Sequence, residues 1–172
     1  MTKAHLQELP LRPMPNARGM PEAQRVPVLG IIERWRGRPG ALLPILHGVQ
    51  EALGWVSAAA VALIAEELNL SRAEVHGVVS FYHYFRTTPP GKQVVQLCRA
   101  EACQAVGAVA LEKHVKRRLG IDFHQTTSDG AFTLEPVYCL GNCACGPSLL
   151  VGKELHGRVT AERFDELVRG AG

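Results

Sequence analysis

Four cysteines of the sequence fall into two close pairs. Cys98 and Cys103 have the spacing C-x4-C, and Cys139 and Cys143 the spacing C-x3-C. Thiolates are soft ligands, and four of them serve either zinc or an iron–sulfur cluster. Structural zinc draws most often on C-x2-C knuckles, because one small ion needs both thiolates of a pair very close. The gaps here are wider. They favour a larger binuclear [2Fe–2S] core and leave a structural zinc-binding module as the alternative. The pattern also differs from the plant-type C-x4-C-x2-C…C arrangement. Dithiol exchange, a third chemistry, is weakened by the lack of a C-x-x-C motif. The fifth cysteine, Cys145, lies two residues past Cys143 and in an extended loop points the opposite way. It reads as a small apolar residue.

A [2Fe–2S] core with four thiolates carries a charge of roughly −2 oxidised and −3 reduced, so its surroundings must offset negative charge. Gly141 and Gly146 let backbone N–H groups approach closely. A helix beginning near Cys103 turns its positive end toward the site, and Arg99 is a further source of charge. No catalytic constellation stands elsewhere. His47, His76, His83, His114, His124 and His156 have no ligand spacing with the cysteines and read as structural or solvated. Ser80 and Ser148 lack the G-x-S-x-G elbow. With no G-x-G-x-x-G fingerprint, the chain alone is expected to bind neither FMN nor NAD.

Hydrophobic residues make up 47% of the 172, enough for a core without disulfide staples. The net charge of +3 is small, and the seven Lys and Arg of the first forty residues form no run. Nucleic acid is therefore not expected as a partner. No apolar run approaches the ~18 residues of a membrane span, so direct membrane insertion is not expected either. The start, MTKAHLQELPLRPMPNARGM, lacks the apolar stretch of a secretory signal. A soluble, cytoplasmic chain with reduced thiols is expected.

Three segments organise the chain. Residues 1–25 contain Pro10, Pro13, Pro15 and Pro21 without periodicity and read as an extended arm ordered only by a partner. Residues 26–87 read as a small helical bundle. VPVLGIIERWRG is a short helix ending near Gly37. ALLPILHGVQEALG carries Leu42, Leu46, Val49 and Leu53 at helical spacing, with Pro44 tolerated in the first turn. Ser57 caps SAAAVALIAEELNL, and Ser71 with Glu74 forms a capping box before EVHGVVSFYHYF. The aromatics of SFYHYF are expected to pack between bundle and sheet.

Residues 88–172 change period. QVVQLC is a strand, and ACQAVGAVALEKHVKRRLG a helix stopped by Gly120. GAFTLEPVYC and PSLLVG are strands, the second turning at Gly152–Lys153 into ELHGRVT. Thr160 then caps AERFDELVRG. A helical bundle followed by this order is an α/β chain whose second part is thioredoxin-like. In such a sheet the loops after QVVQLC and GAFTLEPVYC leave from one edge, which brings the two cysteine pairs together.

The runs GVVSFYHYFRTTPPGKQVVQLCRAEACQAVG and VYCLGNCACGPSLLVG resemble the thioredoxin-like [2Fe–2S] ferredoxin family. That family includes the E-type component of bacterial NADH–quinone oxidoreductase and the matching subunits of NAD-linked hydrogenases and formate dehydrogenases. The resemblance spans about residues 26–170. It implies one [2Fe–2S] cluster, the ligands Cys98, Cys103, Cys139 and Cys143, and an electron-transfer role with no catalytic residue of its own. Within the family, CRAEACQAVG and RPGALLPILHGVQEALGWV look most like the gamma subunit of cytoplasmic NAD-dependent formate dehydrogenase. The partners this implies are a flavin (FMN) and NAD-binding subunit and a large formate-oxidising molybdenum or tungsten subunit, in one hetero-oligomer. Cys145 departs from the family pattern, which has a small non-ligand residue there.

Overall fold

Apolar residues at helical spacing close the first part of the chain into four helices: α1 (Glu22–Trp35), α2 (Leu42–Leu53), α3 (Ala58–Leu68) and α4 (Arg72–Phe81). The computed structural model describes residues 19–170, so most of the expected arm lies outside the described residues. The chain divides into two compact units, one ending at Pro89 and one beginning at Pro90. In the first unit, Val28, Ile32, Ile45, Leu46, Val49, Leu63, Ile64 and Val75 form the core. Side-chain caps set where two helices begin. Ser57 Oγ accepts the Ala60 N–H at 3.0 Å. Ser71 and Glu74 form the full capping box, with bonds of 3.1 and 2.8 Å.

Two helix boundaries differ from expectation. α1 begins at Glu22, four residues before the expected start, with Pro27 inside it. That proline cannot donate to the Ala23 carbonyl, but its fixed φ suits the helix. α4 stops at Phe81 instead of running through SFYHYF. The cause is remote in sequence: the buried Gln50 of α2 donates to the Tyr84 carbonyl at 2.8 Å and accepts the Arg86 N–H at 2.7 Å. Its amide thereby holds residues 84–86 in a non-helical turn. Consequently only Phe85 of the aromatic run is buried, while Phe81, Tyr82 and Tyr84 are exposed. The expectation of core packing fails for those three.

The second unit is a five-stranded sheet with helices: β1 (Gln93–Cys98), α5 (Glu101–Ala105), α6 (Ala108–Leu119), β2 (Gln125–Thr126), β3 (Phe132–Val137), β4 (Leu149–Val151), β5 (Glu154–His156) and α7 (Ala161–Gly170). The strand order is β2-β3-β1-β4-β5. β1 runs parallel to β3, with Gln93 opposite Phe132 and Cys98 opposite Val137. It runs antiparallel to β4. Val95, Leu97, Leu111, Val115, Leu134, Leu149 and Phe164 close the core between sheet and helices. As expected, Gly120 ends α6 with φ +68°, Gly152 turns the β4–β5 hairpin, and Thr160 Oγ1 caps α7. The long helix expected from Ala102 is broken. Gly107, at φ +103°, separates α5 from α6. Among the described residues no helix is long and apolar enough to cross a membrane.

Candidate iron–sulfur centre

Parallel pairing of β1 with β3 decides where the thiols meet. Cys98 is the last residue of β1, and Cys139 lies two residues beyond the end of β3, at the same C-terminal end of the two strands. Cys103 stands in α5, and Cys143 opens a single 3-10 turn, Cys143–Cys145. Cys98 and Cys103 are each 1% exposed and pack with Ala108, Ala100, Val137 and Leu140, whereas Cys139 and Cys143 are exposed.

The four approach one another as two pairs. Cys139 Sγ lies 3.7 Å from Cys143 Sγ. A tetrahedral metal with thiolate bonds of about 2.3 Å sets two sulfurs about 3.8 Å apart, so this pair has the bite of one metal ion. The Cys98 thiol interacts with that of Cys103, and Cys143 lies within electrostatic reach of Cys98. Among the described residues no three His, Cys, Asp or Glu side chains gather as around a single ion. Two thiol pairs side by side fit the four-thiolate requirement of a binuclear cluster.

Backbone donors surround the sulfurs. The Gly141 N–H points at Cys139 Sγ from 3.3 Å and is the main reason that thiol ionises more readily than usual. Burial pushes the Cys98 thiol up, against opposing hydrogen bonds from the Ala100 and Leu140 backbone. Cys143 is also pushed up, first by its hydrogen bond with Cys139. Donors that favour thiolate are the donors an anionic cluster needs. The other expected sources of positive charge contribute less. α6 begins five residues beyond Cys103, so the long helix does not start at that cysteine. The Arg99 guanidinium pairs with Glu112 at 2.9 Å and lies over the Phe123 ring.

Gly141 adopts φ +75°, and a Cβ there would meet nothing within 4 Å. Its role is backbone conformation and not close packing. Gly141→Val should cost about 1–3 kcal/mol of strain and lower both the thermal midpoint and iron per chain. Gly141→Asn, which tolerates left-handed φ, should retain both. Iron analysis and a melting curve on the two variants check this. Gly146 has an ordinary φ of −68°. It is needed for closeness, since a Cβ there would lie 2.9 Å from Val106 Cγ2 and 3.4 Å from Cys103 Sγ.

Sequence reasoning missed the side chains that hold the Cys139–Cys145 loop. Ser148, 1% exposed, accepts from Asn142 Nδ2 at 3.2 Å and donates to the Cys145 carbonyl at 3.3 Å. The available signal was a serine and an asparagine flanking a glycine-rich cysteine loop, residue types that bond to nearby backbone. Among the described residues the Cys145 sulfur makes no hydrogen bond, and its backbone pairs instead with Asn142 and Arg158. Four described histidines have partners other than the thiols. His114 bonds Asp165 at 2.9 Å, His124 bonds Glu135 at 2.6 Å, His156 lies 3.8 Å from Glu154, and His47 packs on Tyr84 and Phe85.

A mixed thioredoxin-like sheet with paired thiols at the ends of two parallel strands defines a class of protein that holds an iron–sulfur centre at the C-terminal end of those strands. A profile of the thioredoxin-like [2Fe–2S] ferredoxins matches residues 28–171, and the chain belongs to that family. It carries one [2Fe–2S] cluster. Among its relatives is the E-type component of the NADH-quinone oxidoreductase of Escherichia coli K12, 31% identical over 91% of this chain and 95% of the relative. Another is the NADP-reducing hydrogenase subunit HndA of Solidesulfovibrio fructosivorans, 32% identical over 82% of each chain. Of solved structures, an NAD+-reducing [NiFe]-hydrogenase in the air-oxidized state superposes with a TM-score of 0.66 at 29% identity. That match covers 81% of this chain and 24% of the hydrogenase chain.

Proposed function

We propose that this chain is the one-electron carrier of a cytoplasmic, NAD-linked oxidoreductase complex, with Cys98, Cys103, Cys139 and Cys143 as cluster ligands. The observation that carries the reading is the convergence of two thiol pairs at the C-terminal end of two parallel strands, one pair buried and one exposed. The bound cluster supplies reversible one-electron chemistry. The protein's part is to hold four thiolates, to aim the N–H groups of Ala100, Leu140 and Gly141 at sulfur, and to leave the Cys139–Cys143 side open to a partner.

The host complex we favour is NAD-dependent formate dehydrogenase, on the strength of the CRAEACQAVG and RPGALLPILHGVQEALGWV segments. Formate oxidation releases two electrons, and NAD+ accepts two with one proton. A one-electron carrier serves that exchange only beside a centre that handles both one and two electrons. A flavin in a neighbouring NAD-binding subunit has that property, and the formate-oxidising molybdenum or tungsten centre lies in a third subunit. The named relatives favour a second reading, the equivalent component of NADH–quinone oxidoreductase or of a hydrogenase.

Native co-purification with a tag on this chain tests both. The expected result is a flavoprotein in the eluate and formate-dependent reduction of NAD+. Activity with quinone or with hydrogen, and none with formate, would move the chain to the second reading. A red-brown chain eluting alone at low salt would make it a free ferredoxin.

A further inference from the structure

An open cavity of 460 Å³ lies between the start of α6, the Gly146–Pro147 turn and the start of α7. Its walls are mixed: Val106, Ala110, Leu111, Pro147 and Val159 supply the apolar part, and the basic members are His114, Arg117 and Arg158. His114 already bonds Asp165, which also takes Arg118 at 3.4 Å. Arg117 and Arg158 differ. Neither guanidinium has an ion pair or hydrogen bond among the described residues, although Arg36, Arg99, Lys116 and Arg163 all find carboxylates. The acids on the α7 side are occupied: Asp165 as above, and Glu162 by its own N–H and the Thr160 hydroxyl. The N-cap of α6 is Gly107, which brings no side chain to the first N–H groups of that helix.

We propose that this cavity binds a small organic oxyanion, a phosphate or carboxylate on a compact apolar body. Arg117 and Arg158 take the charged end, and Val106, Ala110 and Pro147 cover the remainder. Two free guanidinium forks match phosphate and carboxylate oxygens in geometry as well as charge. The volume lies in the range of small-molecule sites, about 300–1,000 Å³. A lone inorganic ion would leave most of the apolar wall wet, so the body of the ligand must contribute. The cavity also borders the cluster site, because Gly146 separates Val106 from Cys103 Sγ. A bound anion there disfavours the more negative, reduced form of the cluster and lowers its reduction potential.

Calorimetric titration of the cluster-loaded full chain with phenyl phosphate, inorganic phosphate and benzyl alcohol tests the site. Phenyl phosphate should bind at least about tenfold more tightly than inorganic phosphate, benzyl alcohol should give no heat, and phenyl phosphate should shift the midpoint potential negative. The double variant R117A/R158N should lose at least about tenfold in affinity with an unchanged melting midpoint. Asn suits position 158 because Arg158 has φ +51°. If that variant melts early, R117E, on an exposed stretch of α6, must show the same loss. Equal affinity for the two phosphates, no binding of phenyl phosphate, or variants that bind like the parent would each overturn the proposal.

Discussion

Alanine at Cys98, Cys103, Cys139 or Cys143 is expected to yield a chain without the red-brown colour of the parent, whereas Cys145→Ala should keep it. Removing one thiolate leaves an iron with an open position. The nearest spare sulfur is poorly placed to fill it. The Cys145 N–H is tied to the Asn142 carbonyl at 3.0 Å, and its own carbonyl accepts the Arg158 N–H at 2.6 Å. Shifting the Cys145 backbone toward the site would break both bonds, each contributing about 1 kcal/mol. The visible spectrum with iron and sulfide per chain reads the outcome. A colourless Cys145→Ala protein beside a coloured Cys143→Ala protein would exchange the roles assigned to the two residues.

Gly157→Val should have the second largest effect, although the residue is no ligand. A Cβ at Gly157 would lie 2.6 Å from Asn142 Nδ2, 2.8 Å from the Cys145 carbonyl oxygen and 2.9 Å from Cys145 Cβ. Two of those atoms belong to the turn that carries Cys143, and one is backbone, so a rotamer change cannot relieve the contact. The turn must move outward and take Cys143 with it. Overpacking of this kind costs about 1–3 kcal/mol, which for a unit of this size lowers the melting midpoint by about 4–8 °C per kcal/mol. Iron per chain should fall in parallel. Full iron content at an unchanged midpoint would mean that Gly157 does not set the position of the loop.

Much of this was legible in the sequence because its causes are local. Ser57, Ser71 with Glu74, and Thr160 start helices through bonds that reach three residues. Gly120 and Gly152 turn the chain where their freedom is required. The meeting of the two cysteine pairs was expected from reading the second part as a thioredoxin-like sheet. The errors had distant or competing causes. α4 ends early because Gln50, thirty-four residues before Tyr84, captures the backbone there. Arg99 turns to Glu112, a partner that only folding brings near. The break at Gly107 had a visible warning, a glycine inside a helical run, which the strong stripe of Ala108, Leu111 and Val115 outweighed.

The two halves of the thiol site are anchored very differently, and this bears on how a cluster gets in and out. Cys98 closes the middle strand of the sheet, its N–H bound to the Ser148 carbonyl at 3.1 Å and the next N–H, of Arg99, to Val137 at 2.7 Å. Folding of the sheet therefore presets Cys98, and α5 seats Cys103 beside it. Cys139 and Cys143 ride on a surface loop held mainly through Asn142 and Ser148. Iron and sulfide entering from solvent are expected to meet that loop first, with the buried thiols behind it. Attack by oxidants is likewise expected to begin at the exposed Cys139 and Cys143. The buried Cys98 and Cys103 are shielded by the packing around them.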